Sequence, residues 1–200
     1  MTFSREWEEA YAAGRQNSIW PWTDLVCAVM RHCPDLRDKR VLELGCGVGA
    51  NIPFFRQMGA KYIGIEGSST AAEKAMTRYA GAVISVGDFT KTLPYENCDL
   101  VVDRSSIVHN EPHAIENCLD LVHDALKPGG LFISIDWFST AHEDEAQFDG
   151  LGVVHRVDEE DLRAFLHGFE IVSLEEKLIY RVVPECARFA SWNIVTKKPA

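Results

Sequence analysis

The chain has 200 residues, of which 46% are hydrophobic and 25% charged, with 20 Lys and Arg set against 30 Asp and Glu for a formal charge of −10 at pH 7. This length and balance suit a single soluble globular domain with a full core. The scattered basic residues argue against a phosphate backbone as partner, because sequence-independent nucleic-acid affinity comes from clustered Lys and Arg, so neither DNA nor RNA is the expected substrate.

The N-terminus is acidic and lacks the apolar stretch of a signal peptide, and no run approaches eighteen apolar residues, so neither secretion nor a membrane span is expected. Residues 4 to 33 have helical spacing. Trp7, Tyr11 and Ala12 share one face, Pro21 interrupts, and Leu25, Val26, Val29 and Met30 form a second stripe. Two helices are expected here as a cap over residues 1–38, placed across the open end of a sheet. From Lys39 short apolar runs alternate with helical or turn patterns: Val41–Leu44, Tyr62–Ile65, Ala82–Val86, Leu100–Val102 and Leu131–Ile135. That alternation implies an α/β fold, a mostly parallel sheet with helices on both faces. Asn51 is the expected N-cap of the first core helix, and Thr70-x-x-Glu73 reads as a capping box for the second. A third helix carries the stripe Ile115, Leu119, Val122, Leu126 and stops at Pro128-Gly-Gly130. Residues 137–156 are polar, acidic and too long for a plain connection, which predicts a lid or binding loop. A short helix at Asp158–His167 and two strand-like runs, Phe169–Leu174 and Phe189–Thr196, close the chain. Six cysteines without C-x-x-C spacing read as reduced and mostly buried thiols, which points to the cytoplasm.

The most informative stretch is Val41 to Ala50, where a strand runs into Gly45, Gly47 and Gly49 and then into a helix. Glycines at alternate positions let the backbone take positive φ and approach a ligand, as a nucleotide-like group on a strand-to-helix turn requires. Gly45-Cys46-Gly47 with Glu66 about twenty residues on also fits a relaxed dinucleotide fingerprint. Glu43 favours a different cofactor: a carboxylate in the crevice opposes a diphosphate and suits a ligand carrying ammonium or sulfonium.

Glu43-Leu-Gly-Cys-Gly-Val-Gly49 resembles motif I of the class I, Rossmann-like S-adenosylmethionine-dependent methyltransferases. Glu66 at the end of the second strand, Gly87-Asp88-Phe89 and Leu126-Lys-Pro-Gly-Gly130 resemble further segments of that family in order, over about residues 40 to 136. The resemblance implies the methyltransferase fold with an antiparallel C-terminal strand, and S-adenosyl-L-methionine as cofactor. It places Gly45, Cys46, Gly47 and Gly67 along the cofactor and Glu43 on its ammonium. Glu66 falls on the ribose diol, Asp88 and Phe89 on adenine, and Arg104 and Ser105 at the methionine end. By position alone, Tyr11 and Arg15 would cover the methionine carboxylate.

Methyl transfer from a sulfonium mainly needs an aligned acceptor and an excluded solvent, with a base where the acceptor carries a proton. His109 is the expected base. His113, Asp136 and His142 are its rivals and, with Trp137, the expected substrate-side residues; Trp137 and Phe138 read as an aromatic wall for the substrate or equally as core. A metal pair at His109-x-x-x-His113 is disfavoured by the intervening Pro112, so no metal is expected. Trp7-x-x-x-Tyr11, Asn17, Pro21, Asp103-Arg-Ser-Ser and Asp136-Trp-Phe-Ser139 resemble a group of small methyltransferases acting on small molecules or surface-glycan precursors. The expected activity is methyl transfer to an O or N atom of a small molecule. The rival readings are a nicotinamide-dependent oxidoreductase and a fold relative that binds cofactor or a partner without catalysis.

Overall fold

The computed structural model describes residues 5–142 and 154–200. Two helices, α1 (Arg5–Ala12) and α2 (Thr23–His32), precede β1 (Arg40–Leu44), α3 (Ile52–Gln57), β2 (Lys61–Glu66), α4 (Ser69–Arg78), β3 (Val83–Val86) and β4 (Cys98–Arg104). A single 3-10 turn (Ile107–His109) leads into α5 (Pro112–Ala125), followed by β5 (Leu126–Phe138), α6 (Glu159–Phe165), β6 (Glu170–Arg181) and β7 (Ala187–Lys197). The seven strands form one sheet in the order β3-β2-β1-β4-β5-β7-β6. Strands β1 to β5 are parallel, and β7 runs antiparallel to both β5 and β6. The chain reverses its direction of growth between β1 and β4, which opens a crevice beyond their C-terminal ends.

Each face of the sheet carries its own core. On one side Ile115, Cys118, Leu119 and Val122 of α5 and Leu162 of α6 pack on Leu42, Leu44, Val101 and Phe132. On the other, Leu25 and Val29 of α2 and Ile52 and Phe55 of α3 meet Val41, Leu100, Val102, Ile133 and Ile135. Burial on both faces explains why these strands read as continuous apolar runs. Of the two N-terminal helices, α1 stands across the C-terminal edge, where its Tyr11 packs with Val48 and Ala71, while α2 lies on a face.

Several local expectations change. Helix α4 begins two residues before the expected capping box: Ser68 is the N-cap and accepts from the Ala71 amide at 3.0 Å, while Thr70 donates its hydroxyl to Glu8 of α1. Asn51 occupies the cap position of α3 but gives no cap hydrogen bond, because its amide is engaged elsewhere. Ala12 and Met30 are exposed, so each N-terminal helix buries a narrower stripe, Ala10 and Tyr11 in α1 and Leu25 and Val29 in α2. Leu126 leaves the helical stripe and starts β5 with extended backbone. The expected lid at 137–156 divides: Trp137 and Phe138 end β5, and residues 143–153 lie outside the described residues. All six cysteines are free thiols, with Cys33, Cys46, Cys98 and Cys118 buried and Cys27 and Cys186 exposed. Among the described residues no helix is long and apolar enough to cross a membrane.

Candidate active site

A cavity of about 770 Å³ opens beyond the C-terminal ends of β1, β2, β4 and β5. Its floor is the glycine turn after β1. Gly45 and Gly47 have φ of +59° and +53°, and a side chain at either would strike a neighbour: a β carbon on Gly45 would lie 2.2 Å from Ser106 Oγ, and one on Gly47 would lie 2.9 Å from the Tyr11 hydroxyl. Only glycine leaves this cradle open.

Glu66, at the end of β2, accepts from the Gly47 amide at 2.7 Å through one oxygen and from the Ser68 amide at 2.8 Å through the other. Each oxygen keeps a further lone pair, so the carboxylate can still receive a vicinal diol. Burial pushes its pKa up to about 7, against which the Ser68, Gly47 and Gly67 amides favour the ionised form. Glu43, on β1, is equally buried; it accepts from Tyr62 Oη at 2.6 Å and from Asn51 Nδ2 at 2.7 Å. Its pKa is likewise raised to about 7 by burial, opposed by those two hydrogen bonds. Asn51 in turn accepts from the Trp22 amide at 3.0 Å, which ties the segment before α2 to the turn. These engagements explain why Asn51 is not free to cap its own helix.

Asp88 and Phe89, after β3, line the wall beside Glu66; Asp88 Oδ1 accepts from the Thr90 amide and hydroxyl, and Lys91 lies 3.7 Å from Oδ2. Across the cavity Arg104 Nη2 lies 3.1 Å from Asp136 and 3.3 Å from Asp24, with its guanidinium 4.1 Å from the centre of the Trp22 ring. Among the described residues, five other than glycine have positive φ, and three of these, Gln16, Ser105 and Asp136, line this cavity. Backbone held in that region concentrates where the surrounding structure over-determines a site.

His109 ends the 3-10 turn after β4. That turn is held by Asp103, fully buried, whose Oδ1 accepts from the Ser106 and Ile107 amides at 2.9 and 3.2 Å while Oδ2 accepts from the Ser134 hydroxyl. The imidazole meets Trp7 of α1 edge-on at 5.0 Å and Phe138 of β5 at 5.6 Å. One wall therefore combines α1, the β4 turn and β5.

The structure brings Tyr11, Glu43, Gly45, Cys46, Gly47, Glu66, Gly67, Asp88, Phe89, Arg104, Ser105, His109, His113 and Asp136 to this one cavity. Three expected residues fall elsewhere. Trp137 is wholly buried, donates its indole N–H to Ser134 and packs against Phe165, so it belongs to the core and not to a substrate wall. His142 is buried against Phe138 and Phe189 and accepts from the Ala190 amide at 3.2 Å, a structural post for β7. Arg15 is exposed beyond the end of α1 and outside the lining. Trp22, Asn110 and Glu111 line the cavity without having been singled out, and Asn51, expected only as a helix cap, lines it with them. Among the described residues no group of three or more His, Cys, Asp or Glu is arranged to hold a metal ion.

The sheet order and the glycine turn define a Rossmann-like methyltransferase fold. A methyltransferase complexed with the Trm112 methyltransferase activator of Haloferax volcanii superposes with a TM-score of 0.78 at 18% identity, over 100% of both chains. A structure described in work on conversion of a disulfide bond into a thioacetal group during echinomycin biosynthesis superposes with a TM-score of 0.75 at 20% identity, over 96% of this chain and 91% of that one. Such distant likenesses show the fold. Residues 41–130 match the family described as Methyltransferase domain. An uncharacterised methyltransferase of Synechocystis is 29% identical over 49% of this chain and 47% of its own, and a malonyl-[acyl-carrier protein] O-methyltransferase of Chlorobium luteolum is 26% identical over 76% and 60%. Residues 41–130 carry a methyltransferase domain, and in sequence and fold the chain is similar to S-adenosylmethionine-dependent methyltransferases, the likeness that points to S-adenosylmethionine as cofactor. It spans only about half to three fifths of the length of these curated relatives.

Proposed function

We propose that the protein transfers a methyl group from S-adenosylmethionine to an O or N atom of a small molecule, with His109 as the base. The observation that carries this reading is that Glu66, bound to the Gly47 amide, and His109, between Trp7 and Phe138, line a single cavity. When bound, S-adenosylmethionine supplies a methyl group on a positively charged sulfur.

The chain's own residues do the rest. Glu66 receives the ribose hydroxyls, Asp88 and Phe89 border the adenine, and Glu43 sets a negative charge toward the amino-acid end, beside the backbone of Arg104 and Ser105. Tyr11 covers the glycine turn. Trp7 and Phe138 hold the imidazole of His109 and keep water from it, and the imidazole takes the acceptor's proton as its lone pair turns to the methyl carbon.

The charges of the wall favour a neutral or cationic acceptor over a carboxylate or phosphate. Its lysine and arginine already face carboxylates, Lys91 with Asp88 and Arg104 with Asp24 and Asp136. Binding an anion would break one of these pairs and leave a partly buried charge without its partner. A sugar hydroxyl, including one of a surface-glycan precursor, fits this wall. The net charge of −10 supports a substrate other than nucleic acid. Four buried thiols support a reducing, cytoplasmic location. We read the chain as one domain, residues 1–38 capping a core of 39–200.

The test is in two parts. Calorimetric titration with S-adenosylhomocysteine measures the cofactor site, and mass spectrometry of methylated products over neutral, amine and carboxylate acceptors measures transfer. Binding with no product from any neutral or amine acceptor would overturn the acceptor reading while leaving the cofactor site standing.

A further inference from the structure

Strand β5 stops at Phe138, opposite Ser191 of β7, but β6 and β7 continue to pair through Arg181 and Ala187. The last rungs of this hairpin, Leu178 with Ala190, Ile179 with Phe189, Tyr180 with Arg188 and Arg181 with Ala187, therefore project past the sheet as an arm. The arm stands on the side where the cavity opens, because the parallel strands end there.

The arm is apolar; its β7 side is backed by Ser139 and His142, while among the described residues its β6 side is largely exposed. Leu178 and Ile179 are about half exposed, and Tyr180, Val182 and Val183 are exposed by 66%, 73% and 76%. Contiguous large apolar side chains of this kind mark an interaction surface. Beside them runs the outer edge of β6: it is the last strand of the sheet and pairs along its length with β7, and among the described residues no strand pairs with its other edge. Long edges of this type are templates for a further strand.

We propose that a second copy of this chain covers the arm, the two β6 strands pairing antiparallel about a two-fold axis at Leu178. The side-chain pattern selects both partner and register. A two-fold axis perpendicular to a continuous sheet sets residues of the same parity opposite one another. Centred on Leu178, Glu175 of each copy faces Arg181 of the other, Leu174 faces Val182, Glu176 faces Tyr180, and Leu178 faces itself. Moving the centre one residue either way sets like charges opposite, Lys177 on Lys177 or Lys177 on Arg181. Such contacts are destabilising, whereas opposite charges and apolar pairs stabilise a ladder. The pairing lays each arm along the root of the other.

Glu175 and Arg181 already have neighbours within one chain: Glu175 lies 3.3 Å from Arg31, and the Arg181 guanidinium sits 4.4 Å from the centre of the Phe189 ring. A carboxylate offers about four acceptor sites and a guanidinium five donors, so these contacts do not by themselves exclude a further one.

Sedimentation equilibrium of the full chain tests the proposal. The expected result is a dimer of twice the 22.4 kDa chain mass at about 100 µM. Glu175→Arg and Arg181→Glu should each weaken it at least about tenfold, with the double reversal restoring it. Circular dichroism should stay unchanged throughout. A second arm uses Leu178→Cys in a Cys27→Ser, Cys186→Ser background, where mild oxidation should give a disulfide-linked pair. A wild-type monomer at that concentration, a dimer indifferent to either reversal, a double reversal that fails to rescue, or no cross-link at position 178 would each overturn the assignment.

Discussion

The hydroxyl of Tyr11 lies 2.9 Å from the point where a β carbon on Gly47 would fall, so the first helix and the cofactor turn share one steric gap. Gly47→Ala would fill that gap and also strain a backbone at φ +53°. We expect affinity for S-adenosylhomocysteine to fall about tenfold or more, since a left-handed conformation costs a residue with a β carbon roughly 1–2 kcal/mol. Isothermal calorimetry of the variant reads this directly.

Cofactor affinity should depend on pH through Glu66. Its pKa is raised to about 7 by burial, and only the ionised carboxylate accepts from both ribose hydroxyls. Binding should therefore tighten as pH rises from 6 to 8 and release protons near neutrality, read as buffer-dependent heats. Glu66→Ala should weaken binding several-fold or more at pH 8, where the diol loses its acceptors. Equal affinity for wild type and variant would remove Glu66 from the ribose.

Glu43 makes the opposite contribution to the stability of the free protein. Its folded pKa of about 7 stands above the ordinary 4.5, so its favourable share is complete below about pH 4.5 and is lost as pH rises through 7. Glu43→Gln removes the buried charge and should raise stability at pH 8 by on the order of 1–3 kcal/mol relative to its effect at pH 5. Urea denaturation at both pH values gives the comparison; a variant equally or more destabilised at pH 8 would contradict it.

His109→Ala should lower kcat by about a hundredfold or more for an acceptor that must lose a proton, leaving cofactor affinity within a factor of two. Parallel loss of kcat and cofactor binding would recast His109 as part of the cavity's framework.

Much of the fold was legible because its signals are periodic. The strands around the glycine turn are buried on both faces, so their apolar runs stand out, and Gly45, Gly47 and Glu66 fall where a strand-end turn requires them. Side-chain partnerships across the chain were not legible. Thr70 looks like a cap until Glu8, sixty-two residues earlier, takes its hydroxyl and Ser68 caps the helix. Asn51 is likewise claimed by Glu43 and Trp22. Trp137 could be placed neither in the core nor on a substrate wall from sequence, for a backbone reason: Asp136 has φ of +68° and the β5 ladder shifts register between Ile135 and Trp137, so simple alternation along the strand fails there. His142 sits beside polar residues in sequence, yet rings of Phe138 and Phe189 enclose it in space.

Helix α1 touches the cavity at two separated points, Tyr11 over Gly47 and Trp7 against His109. Peeling it away to let a spent molecule depart would strip the imidazole of its indole neighbour in the same movement. A disturbance at either contact is therefore passed to the other through one short helix.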